Sequence, residues 1–284
     1  MKNVKMFFVF TLILLIALPV FGQKKVADMK FHHMQNYCWM RFAEIVPEIT
    51  DRVILPLGTI ESHGATAIGS DAIIPVNLAE RMWKRCNALI APAVNYGYTG
   101  PSISQFPGSV TIRKEILTEY LFDILRDLVK SGFRNILIVN GHGGNADYAR
   151  EAARAVHLES AAHIMVVEWW SVGKEIGNEI YGTPEHEAGH AALEESALNL
   201  SYNKDLVDKE MYEKLGKDNI ARHRIDAGFG VFPAVATMSL YEKGKGYIDF
   251  DMKKAEEYTQ RLADYIADNF VEAVKRWEMM ESWK

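Results

Sequence analysis

Cysteine is nearly absent from this chain of 284 residues. Cys38 and Cys86 are the whole complement, and neither belongs to a Cys-x-x-Cys pair. A thiolate metal site or dithiol redox motif is thereby excluded. The expectation is two buried thiols rather than a Cys38–Cys86 disulfide, although an oxidising compartment would permit that bond. Runs of basic residues are also missing: 32 Lys and Arg stand against 37 Asp and Glu, a formal net charge of −5. A mildly acidic chain without a cationic stripe is poorly made for nucleic acid. There is no internal repeat, no low-complexity tract and no Pro/Gly/Ser linker to divide the chain. Beyond residue 22 no stretch is apolar enough to span a bilayer.

The one long apolar run opens the chain. Residues 1–22, MKNVKMFFVFTLILLIALPVFG, carry two lysines, an unbroken apolar stretch from Met6 to Leu18, then Pro19 and small residues before Gln23. This is the layout of a secretory signal peptide with cleavage after Gly22. An uncleaved anchor is the rival, but the stretch is shorter than the ~20 residues a spanning helix needs. Residues 23–284 are then read as one exported domain, periplasmic or secreted and not membrane-bound after cleavage. Losing Lys2 and Lys5 takes the net charge from −5 to −7.

What the sequence does contain is alternation. RVILPL (52–57), ALIAPAV (88–94), NILIVN (135–140) and HIMVVEWW (163–170) read as buried strands. Between them lie helical stretches: about 75–85, then 114–132 with Ile116, Leu117, Leu121, Ile124, Leu125 and Leu128 at helical spacing and a stop at Gly132, then 145–160. A long amphipathic helix over 252–279 carries Tyr258, Leu262, Tyr265, Ile266 and Phe270 on one side. Apolar strands alternating with helices predict an α/β fold with a mostly parallel central sheet covered on both faces. Ligands of such sheets bind beyond the carboxyl ends of the strands.

Three clusters of chemistry-bearing residues fall at those ends. In LPLGTIESHGATAIGSD (55–71), Glu61, His63 and Asp71 arrive within eleven residues of each other. Residues two apart in extended chain point the same way, so Glu61 and His63 can face one cavity. Asn140-Gly141-His142-Gly143-Gly144-Asn145 sets three glycines around a histidine, in a spacing that matches no phosphate loop. In His186–Ser196, helical spacing lets His190 share a side with Glu194 or Glu195. Singly each has a bland reading: a polar surface, a turn, an acidic helix start. Together, carboxylates and imidazoles are the ligand set of a hydrolytic zinc or manganese site, in which a pair of ions shares a bridging carboxylate. His157 and His163 read as structural, and His32, His33 and His223 lack carboxylate partners nearby in sequence. His186 stays as an outside candidate.

The stretches LPLGTIESHGATAIGSD, YGYTGPSISQFPGSVT (96–111), GFRNILIVNGHGGN (132–145) and HAALEES (190–196) resemble the creatininase (creatinine amidohydrolase) family, in family order over most of residues 50–200. The resemblance implies a three-layer α/β/α fold, often a hexamer, with a binuclear metal centre that opens cyclic or other non-peptide amides. By position, Glu61 and His142 would hold one divalent ion, zinc or manganese, and His63 the other, with Asp71 bridging. Creatinine-hydrolysing members take a further carboxylate from a Glu two residues after the loop histidine, where this chain has Gly144. Members with the NGHGGN form take it from His-Ala-Gly-x-x-Glu-Thr-Ser, which points to Glu195, with His190 as proton carrier. An alignment offset through Glu187-Ala188-Gly189 would move the ligand to Glu194.

The chain departs from the family pattern in its shorter first loop, in HAALEES, and in Gly143, where creatinine-specific members carry an aromatic residue. Creatinine is accordingly not the expected substrate. The expectation is a binuclear amidohydrolase acting on a small-molecule amide, with His190 and Glu195 in the reaction. Trp169 and Trp170 would stack on a flat substrate, Gly143 would give it room, and a Phe106–Ser109 loop would present Ser109 to it. The alternatives are a formamide deformylase, a peptide-trimming hydrolase, or an exported binding protein without turnover.

Overall fold

Arg52–Leu57 is apolar after its first residue, and it forms β1, a central strand of the sheet. Along the chain the strands are β1, β2 (Leu89–Ile90), β3 (Asn135–Asn140) and β4 (His163–Glu168), in the spatial order β2-β1-β3-β4 and all parallel. The computed structural model describes residues 25–182, 190–215 and 248–282. The proposed signal segment, His186 and His223 lie outside the described residues. Among those residues no helix is long and apolar enough to cross a membrane.

The helices are α1 (Trp39–Ala43), α2 (Ser70–Cys86), α3 (Gly100–Ile103), α4 (Lys114–Lys130), α5 (Ala146–Ser160), α6 (Trp169–Tyr181), α7 (Leu193–Tyr202), α8 (Lys209–Leu215) and α9 (Met252–Glu281). The chain leaves β1 toward β2 and then returns past β1 to β3 and β4. Parallel crossovers are right-handed, so reversing direction places α2 on one face and α4 and α5 on the other. α9 packs beside α2, with α6 and α7 against it, and α4 packs on α5. The result is the expected three-layer α/β/α arrangement, with helices on both faces of a parallel sheet. Its buried apolar side chains form one continuous cluster, from Val53 and Ile54 through Ile136–Val139 to Tyr258 and Phe270.

Several element boundaries differ from expectation, each for a local reason. The 88–94 strand shortens to two residues because Pro92 cannot donate to a ladder; only an isolated Leu57–Val94 bridge continues it. Pro56 is tolerated inside β1 because it faces that same gap, where its carbonyl accepts from the Val94 amide. Trp169 and Trp170 do not extend β4 but open α6. α2 starts at Ser70 rather than near Pro75, which puts Asp71 in its first turn. Ile116 and Tyr265 turn outward, 46% and 50% exposed. In α9 the buried arc runs through Ala255, Thr259, Leu262, Ile266 and Phe270, and Tyr265 lies past its edge. Cys38 and Cys86 are both free, and only Cys86 is buried.

The reversal of direction between β1 and β3 is a topological switch point, where following helices leave to opposite faces and a crevice opens. The loops after β1 and β3 both end there.

Candidate metal centre

The centre is assembled around Asp71. It sits in the first turn of α2, where the positive end of the helix dipole favours a carboxylate. Gly141, just after β3, makes this position reachable: a Cβ there would lie 2.0 Å from the Asp71 carbonyl oxygen and 2.7 Å from Pro75 Cγ. Only a residue without a side chain lets the end of β3 dock so closely on α2.

Two histidines close on Asp71 from opposite sides. His63 Nε2 lies 2.9 Å from Asp71 Oδ1 and 3.6 Å from Glu195 Oε2. His142 Nδ1 lies 2.9 Å from Asp71 Oδ2 and 3.2 Å from Glu61 Oε1. The other nitrogen of each ring is tied down: His63 Nδ1 donates to the Glu61 carbonyl at 3.1 Å, and His142 Nε2 donates to the Tyr98 carbonyl at 3.0 Å. Backbone carbonyls thus fix which nitrogen faces the carboxylates, as they do for metal-binding histidines. Glu195 is held by the Ala191 amide, 2.6 Å from its Oε2.

The three-donor groups that result are Glu61, Asp71 and His142 on one side and His63, Asp71 and Glu195 on the other, each with donor atoms within 4.8 Å of one another. Asp71 belongs to both. A third group, Glu61, His63 and His190, overlaps them.

Electrostatics matches this geometry. Burial by itself would depress the His63 pKa, but the Asp71 and Glu195 charges reverse that and raise it to about 10. His142 is likewise lifted to about 10, against burial, by hydrogen bonds to Asp71 and Glu61. Burial pushes Glu195 up to about 7, partly offset by His63. Burial also raises Glu61, while Asp71, despite its burial, is held well below the usual carboxylate range by His63 and His142. His190 goes the other way: burial first, then the His63 charge, lower it to about 4. A buried polar oxygen without a partner is costly, and Glu61 Oε2 has none.

The donor set passes the test for divalent cations. Two imidazoles with the outer nitrogen pinned, the buried carboxylates of Glu61 and Asp71, the part-buried carboxylate of Glu195 and an orphaned carboxylate oxygen make a donor set of the type that suits zinc or manganese.

A cavity of about 440 Å³ opens over this cluster, bordered by Glu61, Asp71, His142, Trp170, His190 and Glu195 among others. Trp169 and Trp170 stand at right angles on one wall, 5.9 Å between ring centroids. Gly143 and Gly144 line it with opposite tolerances. A Cβ at Gly143 would meet nothing within 4 Å, whereas one at Gly144 would lie 2.1 Å from the Tyr98 carbonyl and 2.5 Å from His142 Nε2. A side chain at 144 is therefore sterically barred here, and Glu195 brings a carboxylate to the cluster from α7.

Two expectations change, for His190 and Ser109, and the Glu194 alternative is placed. His190 is not on a helix with Glu195: it precedes α7 in a turn, with Ala191 in left-handed backbone at φ +57°. It still reaches the cluster, with Nε2 donating to the Ser62 carbonyl at 2.5 Å and Nδ1 3.6 Å from Glu61 Oε1. Ser109 does not border the cavity; its hydroxyl accepts from the Ser62 amide at 3.1 Å and so supports the Glu61–His63 segment. Thr99 and Ile103 represent that loop in the cavity instead. Glu194 is not among the clustered donors but lines the cavity, buried, with Oε2 unpaired.

Asn140 and Asn145 have a role that local pattern did not assign. Asn140 brackets His142 through both its backbone groups, and Asn145 joins the Gly58 carbonyl to the Tyr98 amide. An amide side chain ending a wholly apolar strand was the available signal. His157 and His163 pair elsewhere, with the Ala162 carbonyl and Asn135.

The chain is 29% identical over 174 residues to creatinine amidohydrolase of Pseudomonas putida, covering 55% of this chain and 66% of that protein. It is 31% identical over 94 residues to 3-dehydro-scyllo-inosose hydrolase of Thermotoga maritima (33% and 30%). It is 30% identical over 125 residues to a mycofactocin precursor peptide peptidase of Mycobacterium tuberculosis (40% and 49%). These matches thus span less than two thirds of the relatives' lengths. Among solved structures, a manganese creatininase superposes with a TM-score of 0.71 at 24% identity, covering 86% of this chain and 99% of the other. A mutant creatininase of Zn-Zn type gives 0.70 at 23%, with the same coverage. The family profile described as creatinine amidohydrolase matches residues 35–274, most of the chain, so this chain belongs to the creatininase family.

Proposed function

We propose that the chain is a metal-dependent amidohydrolase that holds two divalent ions, zinc or manganese. Glu61 and His142 would hold one, His63 and Glu195 the other, and Asp71 would bridge them. The observation that carries this reading is the sharing of one buried carboxylate by two complete donor groups. Its relatives support it: one is a creatinine amidohydrolase, and the superposed creatininases are manganese and Zn-Zn forms.

Such ions supply Lewis acidity toward a carbonyl oxygen and bring the pKa of water near neutrality. The chain's own residues supply the rest. His190 keeps its Nε2 proton on the Ser62 carbonyl, which leaves Nδ1 as the acceptor facing Glu61; there it would take the proton lost by the attacking water and pass it to the leaving nitrogen as the C–N bond breaks. Trp169 and Trp170 wall one side and exclude water from that flank. Gly143 leaves the space over His142 open, which favours an amide other than creatinine.

Peptide trimming is the second reading, favoured by the peptidase relative. Export of a single domain from residue 23, and assembly as a homo-oligomer, complete the proposal. The test is metal analysis of purified protein followed by a screen of small lactams, formamides and short peptides. Asp71→Ala should lose both ions and all turnover. Full activity in that variant would sink the reading, and a metal-free wild type that binds amides without turnover would make it a binding protein.

A further inference from the structure

Away from the cavity, His32 and His33 lie in the segment that precedes α1 and pack against α2. His32 Nε2 is 2.7 Å from Glu80 Oε2, and His33 Nε2 is 2.5 Å from Glu80 Oε1. Two imidazoles thus address the two oxygens of one carboxylate, with all three donor atoms within 4.8 Å of each other. Neither histidine has a carboxylate partner nearby in sequence; the one it meets in the fold stands 47 and 48 residues away.

The arrangement is held rigid from several directions. The His32 ring stacks on Trp83 at 4.5 Å and 8°. The His32 carbonyl accepts from the Ile90 amide at 2.8 Å, and His33 pairs with Ile90 in a parallel bridge. Glu80 is fixed by the middle of α2, with its side chain one-third exposed, and both histidine side chains are a quarter or more exposed. An ion can therefore enter from solvent and keep a water.

We propose that His32, His33 and Glu80 form a peripheral site for a divalent transition-metal ion, zinc in the first instance. Two imidazole nitrogens and one carboxylate oxygen with an open fourth position are a known zinc ligand set, and nitrogen donors disfavour calcium and magnesium. The ion would take the place of the direct contacts between the rings and Glu80. It would clip the N-terminal segment and the edge strand β2 onto α2. That helix also carries Asp71, nine residues or about 13 Å before Glu80.

The test counts zinc per chain in purified wild type, His33→Gln and Glu80→Gln after equilibration at micromolar free zinc. Each variant should carry about one equivalent fewer than wild type and keep the wild-type turnover, since neither residue touches the cavity. The same loss should appear when Glu80→Gln is placed in an Asp71→Ala background, where the central donors are disabled. Equal zinc content in wild type and both variants would overturn the site. Failure of the central reading looks different: Asp71→Ala would then match wild type while Glu80→Gln still lost its equivalent. Should a variant misfold, cobalt substitution of wild type decides instead, because a nitrogen-rich site outside the cavity should shed its absorption on chelation without any fall in turnover. Loss of absorption only in step with turnover would also overturn it.

Discussion

Each ligating imidazole in the centre must surrender one proton before it can bind a cation. Without ions, His63 and His142 hold theirs up to about pH 10, because Asp71 and its neighbouring carboxylates outweigh the effect of burial. Glu195 at about 7 adds a fraction of a proton near neutrality. Metal loading at pH 7.5 should therefore release about two protons per chain, and apparent affinity should climb with pH up to about 10. Titrating metal into weakly buffered protein with an indicator dye reads this directly. Loading without acidification would mean that the rings are not ligands. The two neighbouring glutamates separate by the same logic. Glu195→Gln should lose about one ion and most turnover, because it breaks the group formed with His63 and Asp71. Glu194→Gln should keep both ions, since its carboxyl lines the cavity without joining a donor group. Metal counts in the reverse order would restore the offset alignment.

The elements matter because they deliver these residues to one point. β1 and β3 end at the switch of strand order, and α2 begins against them through the contact at Gly141. A methyl group there would collide with backbone, which cannot swing away as a side-chain tip can. Gly141→Ala should cost about 1–3 kcal/mol or more and weaken metal retention by shifting Asp71; a melting curve paired with metal analysis checks both, and wild-type values in each would show that α2 does not dock there. How much of this was readable depends on range. β1, β3, α4 and α5 announced themselves by local periodicity, and Glu61, His63 and His142 fell at strand ends by the same reading. The shortening of β2 was concealed because one proline decides it, and Trp169 and Trp170 read as strand because apolar composition continues across the β4–α6 junction. The turn at His190 depends on the left-handed backbone of Ala191, which alanine composition does not signal. Glu80 and Glu195 became partners of histidines dozens of residues away only through packing of α2 and α7, which no local pattern encodes.

At the scale of the molecule, the centre joins parts of the chain that are far apart in sequence. Glu61 and His63 come from the loop after β1, His142 from the loop after β3, Asp71 from α2 and Glu195 from α7. Without cations, three carboxyl groups and two imidazoles crowd together at low exposure, their charges balanced by the protons that the rings retain. Under the proposed reading, divalent cations would take the place of those protons and cross-link four elements at once, and they would bind the folded chain far better than the unfolded one. Raising free zinc or manganese from well below to a hundred times the dissociation constant should add about 2.7 kcal/mol for each independent site. For a chain of this size that corresponds to roughly 5–10 °C in melting temperature. Chelation should reverse the shift, and Asp71→Ala should abolish most of it, leaving only what His32, His33 and Glu80 contribute. Hydrogen exchange adds the spatial readout: protection should fall on chelation in the first turn of α2, the turn before α7 and the loop after β3, while the β1–β3 ladder stays protected. A melting temperature indifferent to zinc, manganese and chelator alike would mean that the donors converge without binding, and the amidohydrolase reading would lose its chemical basis.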